Sequence, residues 1–532
     1  MIKKFIDKLL GKTPKAPTSV SGTPLGKRVE VTKEEHGIDL SLVDERAVKV
    51  VKTLTEAGHE AYIVGGAVRD LLLGLRPKDF DVATNATPEQ VKSLFRRAFI
   101  IGRRFRIVHV VHGRGRDHEV IEVSTFRALM DSTATEQVAG NEKTSKGDLA
   151  GKSSVVDASG RVLRDNVWGP QIEDAARRDF TVNAMYYDPQ RELVVDYHGG
   201  IKDAKKKLLR MIGDPATRYR EDPVRIIRVV RFAAKLGFEI EPKTRAPIKE
   251  MAALLDNVPA SRTFDEMIKL LQTGHATRSL EELRRQGLIG ADPAVFPLLD
   301  VVLAEGGGPS RFVQLALDDT DRRVGEGKPV APSFLLACML WHEVKDGWQK
   351  NKERGEAPFP ALQQAVDAVF DARVGDISGR GKLGADMREI WCMQPRFERR
   401  AGNAPFALVE QPRFRAGFDF LRLRADAGEL APELAEWWED FSLGSDDERR
   451  ALVDLAREQD GARRGAQRVR RADVAKPPSA AAARAADAAE PASEAAGTAG
   501  DAAAPARRKR RRRRKPAAAE GESGPASPAP TP

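Results

Sequence analysis

Gly65, Gly66, Arg69, Asp79 and Asp81 fall within one short stretch, AYIVGGAVRDLLLGLRPKDFDVATNAT (61–87). Together they carry the chemistry of a bound nucleoside triphosphate. The apolar run Ala61 to Val64 ends at the glycine pair, an amphipathic segment follows from Ala67 to Leu75, and a second run opens at Asp79-Phe80-Asp81. That order predicts strand, tight turn, helix, strand. Glycines at a strand-to-helix turn let backbone N–H groups approach an anion, because no Cβ stands in the way. Arg69, on the first helical turn, can grip phosphate oxygens with two parallel N–H groups. On a strand, Asp79 and Asp81 project to the same face. Two carboxylates so placed repel unless a cation holds them, and magnesium suits them as a hard ion taking a few carboxylates plus phosphate oxygens. Alone, a Gly-Gly is an ordinary turn and an Asp-x-Asp a solvated strand end. The chemical reading comes from their order, with Arg69 and Asp70 between them.

Further candidates follow along the chain. Two alternating β runs, Ile107 to Val111 and Glu119 to Thr125, frame Glu122, which shares a face with Val120 and Ser124. An acidic side chain in an apolar strand is costly unless paired or metal-bound, so Glu122 is expected to complete a carboxylate trio with Asp79 and Asp81. The alternative pairs it with a nearby arginine. Arg103, Arg104 and Arg106 flank Phe105 just before that hairpin and suit an RNA backbone, or form a solvated loop. The segment 172–188 is predicted helical, placing Asp179 and Asn183 on one face with Arg178 beside them at a cleft rim. The segment 217–238 is predicted as one strong, largely apolar helix. Within it Asp222 and Arg225 could present an acceptor and a planar donor fork to a base edge, or form a plain i, i+3 salt bridge. Arg228 and Arg231 follow at three-residue spacing and, on a buried helix, need anionic partners.

The elements that hold these residues occupy only part of the 532 residues, enough for two or three domains. Cys338 and Cys392 are too few for a disulfide framework or zinc site and fit a reducing cytoplasm. Neither a signal peptide nor a membrane-spanning apolar run is expected. The net charge of +10 is misleading for the body: Arg507 to Lys515, including Arg507, Arg508, Lys509 and Arg510, carries nine positive charges, leaving the remainder close to neutral. That run is expected to bind polyanions such as RNA. Residues 1–12 pattern as a basic amphipathic helix, for a membrane surface or for packing on the protein itself. Residues 131–160 lack apolar periodicity and read as a mobile insertion. From about 245 to 460 the pattern is helical, and from about 465 it turns to Ala, Pro, Gly and Arg, which cannot build a core.

Four motifs, GGAVRD, DFDVATNATPEQV, RRDFTVNAM and REDPVRIIRVVRFAAKLGF, together resemble the bacterial poly(A) polymerase and CCA-adding tRNA nucleotidyltransferase family of the polymerase β superfamily. The resemblance is close over residues 45–240 and loose over the helical region beyond. It implies an α+β fold: a nucleotidyltransferase head with a mixed sheet (41–190), an all-α neck (191–265) and body (266–464), and a disordered tail (465–532), preceded by the N-terminal helix and linker (1–40). It implies that Asp79 and Asp81 bind Mg²⁺ (or Mn²⁺), with Glu122 or Asp179 a third essential carboxylate. Gly65, Gly66 and Arg69 would hold the triphosphate, Arg178 and Asn183 the sugar and phosphates. Asp222 and Arg225 would select the base, assisted by Arg228 and Arg231. The substrates implied are ATP and RNA 3′ ends, for a monomeric cytoplasmic enzyme whose basic tail tethers RNA or RNA-degradation proteins. The segment IIGRRFRIVHV, the insertion and the arginine-rich tail resemble the poly(A) polymerase branch. The alternatives are CCA addition to tRNA and a non-catalytic RNA-binding protein.

Overall fold

The computed structural model describes residues 25–102, 106–113, 119–129, 136–137, 154–156, 162–165, 167–291, 294–304, 309–373 and 381–459. The N-terminal helix, Arg103 and Arg104, most of 131–160 and the basic tail lie outside these residues.

The head is built on an eight-stranded mixed sheet. Its strands are β1 (Val29–Val31), β2 (Ala61–Val64), β3 (Asp81–Thr84), β4 (Ala98–Ile101), β5 (Ile107–His112), β6 (Glu119–Thr125), β7 (Met185–Asp188) and β8 (Leu193–Asp196), in the spatial order β1-β8-β7-β2-β3-β6-β5-β4. All neighbours are antiparallel except β3 and β6, which run parallel. One face is covered by three helices, α1 (Glu45–Glu56), α2 (Gly66–Leu72) and α3 (Pro88–Leu94). Each forms where local chemistry favours it. The Asp44 side chain caps α1 by accepting from the Arg46 amide, and Ala47, Val50, Val51 and Leu54 make its buried stripe. Thr87 and Gln90 close a capping box at the start of α3. Tyr62, Val64, Ala83, Phe126, Tyr186 and Val195 cover the opposite face of the central strands. Burial on both faces is why β2 reads as an unbroken apolar run instead of an alternating one.

Three predicted elements differ. The 172–188 segment is not one helix but α4 (Gln171–Ala176), a 3₁₀ turn at Thr181–Asn183 and the strand β7. The Tyr186 and Tyr187 side chains bury against opposite sides of the sheet, and that two-sided burial outweighs the helical spacing read from the sequence. The 217–238 helix is broken into α5 (Pro215–Glu221) and α6 (Val224–Leu236). Pro223 drives Asp222 into extended geometry, φ −150° and ψ 94°. In and just after the 131–160 segment read as an insertion, short strands at Glu136–Gln137, Ser154–Val156 and Val162–Asp165 pair into a small sheet, their apolar runs too brief to register as periodicity.

Beyond the head the chain is almost wholly helical. A continuous apolar cluster runs from Phe180 through the buried stripe of α6 to Leu423. A second gathers Trp437, Trp438 and Phe441 with Phe397 and Phe414, so these tryptophans are packing residues. Among the described residues no helix is long and apolar enough to cross a membrane.

Candidate active site

Register places the acidic residues. Val64 of β2 opposes Asp81 of β3, Asp81 opposes Glu122 of β6, and Glu122 opposes His109 of β5. These side chains form one row across the sheet on the face away from α1–α3. Asp79 is not on the strand; it lies in the bend two residues before β3 begins, while Phe80 between them is buried. Its placement beside Asp81 therefore comes from the bend and not from strand alternation. Asp81 keeps an exposed surface, yet protein atoms crowd around its carboxyl. Burial and the charge of Glu122 push its carboxyl up to about 6, against the pull of Arg178, with Asp79 adding to the rise. Crowded negative charge of this kind is relieved by a cation. Among the described residues no three His, Cys, Asp or Glu side chains stand close enough to hold an ion, so the expected trio is not assembled. Glu122 points instead to His109, Oε1 to Nε2 at 3.3 Å, and this imidazole, not an arginine, is its neighbour. The contact is a charge approach without hydrogen-bond alignment, since Nε2 is buried without a bonded partner.

The glycine-turn residues meet this row. Gly65 has φ 74° and ψ −135°, and a Cβ built there would stand 3.7 Å from Arg178 Nη1 and 4.0 Å from Asp81 Oδ2. The glycine turn, the arginine and the carboxylate thus share one small volume. Arg69 departs from expectation. It is 4 % exposed and folds inward behind Gly66, with Nε donating to Asp70 Oδ1 at 2.9 Å and Nη1 to Asn183 Oδ1 at 2.6 Å. It pins Asn183, at the end of the 3₁₀ turn, to α2 and does not present an open fork.

Arg178, Asp179 and Asn183 are adjacent in sequence but turn three ways. Arg178 is held from behind by Asp174 of α4, whose Oδ2 accepts from Nε at 3.3 Å and from Nη2 at 3.1 Å. Asp174 also accepts from the Tyr186 hydroxyl at 2.7 Å and the Arg127 amide at 3.2 Å. Asp179 faces α6, its two oxygens meeting Arg225 Nε at 3.0 Å and Arg228 Nη2 at 2.8 Å. Burial alone would raise its pKa; the Arg228 and Arg225 charges hold it below the usual carboxylate range. Buried Arg218 of α5 donates to the carbonyls of Arg177 and Arg178, fixing the loop between them.

Asp222 and Arg225 do not form a shared fork in this structure. Both Asp222 oxygens accept from Arg262, at 2.8 and 2.7 Å, while Arg225 also donates to Glu221 at 3.0 Å and to the Arg218 carbonyl at 2.8 Å. The anionic partners that Arg228 and Arg231 need are Asp179 and Glu266, the latter 3.3 Å from Arg231 Nε. Arg106 ion-pairs with Glu89. Lys235 at the end of α6 feels Arg69, Arg231, Asp70 and Asp79. Burial and the two arginines push its pKa down against the two carboxylates.

Sequence reasoning missed Asp174, His109, Arg218, Arg262 and Lys235. Tertiary packing brings them in: the register of β5 on β6 for His109, α4 for Asp174, α5 and α6 for Arg218 and Lys235, and the helix Ala260–Leu271 for Arg262.

Comparison with known proteins places the chain in a family. Residues 61–210 match the family profile described as the poly A polymerase head domain. Residues 237–301 match a probable RNA and SrmB-binding site of polymerase A, and 354–473 an arginine-rich C-terminus of polymerase A. The chain is 40% identical over 446 residues to Poly(A) polymerase I of Salmonella typhi, covering 83% of this chain and 91% of that one. It is 42% identical over 412 residues to Poly(A) polymerase I of Haemophilus influenzae, covering 76% and 86%. A CCA-adding enzyme of Bacillus pumilus is 36% identical over 237 residues, 44% of this chain and 52% of that one. With so much of both chains aligned, and with head, RNA-binding and C-terminal segments each matched in order, this protein belongs to the bacterial poly(A) polymerase family of nucleotidyltransferases.

Proposed function

We propose that this chain transfers AMP from ATP to RNA 3′ ends without a template, releasing pyrophosphate, and that the tails it makes feed RNA turnover. The observation that supports this most is the meeting of the Gly65 turn, Arg178 and Asp81 in one volume. Its weight comes from a chain whose likeness to Poly(A) polymerase I covers 83% of its length, against 44% for the CCA-adding relative.

On this reading Asp79 and Asp81 would hold Mg²⁺, or Mn²⁺ in its place. The donor set fits, because magnesium needs only one or two carboxylates when triphosphate oxygens and water complete its shell, and because Glu122 and Asp79 add negative charge around Asp81 that Arg178 offsets only in part. When bound, the ion would lower the pKa of the attacking 3′-hydroxyl and offset charge on the entering and leaving oxygens. The chain's own part is positioning. The Gly65–Gly66 amides and Arg178 receive phosphate oxygens, while Asn183, tied to Arg69, orients the sugar. Asp222 and Arg225 face the base once Arg262 yields, and Asp179 keeps Arg225 and Arg228 in place. We read Asp179 as the third essential carboxylate, acting through those arginines, and Glu122 as a contributor to the field on Asp81. The head takes residues 29–196, because its sheet includes β1 and β8 on either side of the expected 41–190; the neck follows to residue 265 and the body to 464, and the basic tail tethers RNA.

The test supplies purified protein with an oligo(A) primer, or a tRNA ending before its CCA, and labelled ATP or CTP. A long ladder of A independent of CTP is expected. Incorporation that stops after C, C and A would assign the tRNA reaction instead, and no incorporation would leave an RNA-binding module. Asp81→Asn is expected to abolish incorporation while oligo(A) binding survives; a variant that still extends the primer sinks the metal-site assignment.

A further inference from the structure

Beyond Glu122 the row from Asp81 continues past His109 to Phe99 of β4, which opposes His109. Alternation puts Ala98, Ile100, Val108, Val110, Ile121 and Val123 toward α1–α3, in or against that core. Phe99 therefore projects from the same face as Asp81, Glu122 and His109. Phe99 is 58% exposed and Ile101, next on that face, 36%. On the other side of Asp81 this face is closed, because Tyr62, Val64, Phe126 and Tyr186 are buried there. Among the described residues the open part of this face lies toward β5 and β4, and an acceptor strand whose 3′-hydroxyl reaches Asp79 and Asp81 can lie along it. Three strand spacings of about 4.8 Å put Phe99 about 14 Å from Asp81. That is about four stacked nucleotides at about 3.4 Å each, fewer if the strand is drawn out.

We infer that Phe99, at the open edge of the sheet, is the platform on which a base of the RNA substrate stacks, a few nucleotides upstream of the 3′ end. The inference rests on the polyadenylation reading and extends it to the acceptor strand. A π-face holds any base, so an aromatic in line with the carboxylates grips the growing end without reading its sequence. Template-free addition requires that tolerance, since each cycle moves the strand by one nucleotide.

The test uses the intact chain and oligo(A) primers carrying 2-aminopurine at successive positions from the 3′ end. Quenching on binding is expected to peak at about the third to fifth nucleotide, to vanish in Phe99→Ala and to persist in Phe99→Trp. The KM for RNA is expected to rise about tenfold or more in Phe99→Ala, as loss of one base–aromatic stack implies, with the KM for ATP unmoved. Phe359→Ala, an exposed aromatic far along the chain, should change neither. Quenching that is equal at all positions, or unaltered in Phe99→Ala, overturns the inference. So does a dimer in light scattering that Phe99→Ala dissolves, since a second copy would then occupy the face. If the wild-type chain adds no AMP, the polyadenylation reading fails, and the quenching profile still decides whether RNA lies on Phe99.

Discussion

Asp174 stands behind Arg178 and sets its position. One buried carboxylate takes two N–H groups of the guanidinium, the Tyr186 hydroxyl and the Arg127 amide. Removing it leaves a largely buried cation and two further donors without an acceptor. Asp174→Ala is expected to lower unfolding stability by about 3–5 kcal/mol, read from the denaturant midpoint, and to raise the KM for ATP. Burial would by itself raise the Asp174 pKa, but the Arg178 and Arg177 charges and the Tyr186 and Arg127 hydrogen bonds hold it below the usual range. A carboxylate depressed on folding contributes stability that is complete above its unfolded value and lost as pH falls through the folded one. Wild-type stability should therefore fall more steeply below about pH 4 than that of Asp174→Asn. Parallel acid limbs in the two proteins would refute the assignment.

The strand-turn-helix unit from Ala61 to Leu72 works through one backbone conformation. Gly65 occupies φ 74° and ψ −135°, a region other residues enter only under strain, while the space for a Cβ is ordinary. Gly65→Ala should therefore cost about 1–3 kcal/mol from the backbone and not from a clash. It should also raise the KM for ATP by putting a methyl group between the turn amides and Arg178. Thermal unfolding and initial rates over a range of ATP check both, and an unchanged melting temperature would show that the turn relaxes. The break at Pro223 is the second element of this kind. It divides the arginine-rich segment so that α5 clamps the Arg177–Arg178 carbonyls while α6 meets Asp179.

Across the whole molecule, charge is divided unevenly. With nine of its positive charges in Arg507–Lys515, the remainder is close to neutral, and many of its described arginines are spent on internal carboxylates. Deleting Arg507–Lys515 is expected to weaken oligo(A) binding and to flatten its dependence on the logarithm of salt by up to about 6, at about 0.7 per phosphate neutralised on a single strand. The KM for ATP should hold. An unchanged salt slope would mean that the body supplies the phosphate contacts.

By itself the sequence determined the family and pointed to the candidate reacting groups. The glycine turn, the Asp79–Asp81 pair and the motifs carrying Arg178, Asp179 and Arg225 are local, and a tight turn and a short strand are written in neighbouring residues. Pro223 was equally visible as a breaker, yet the apolar spacing around it outweighed that signal, as it did over Tyr186 and Tyr187. Tertiary structure alone decided which charges face which. Ion pairs such as Asp222 with Arg262, and rows such as Asp81–Glu122–His109–Phe99, join residues far apart in sequence. Hydrogen-bond register and helix docking set those distances, and neither leaves a periodic trace in the chain.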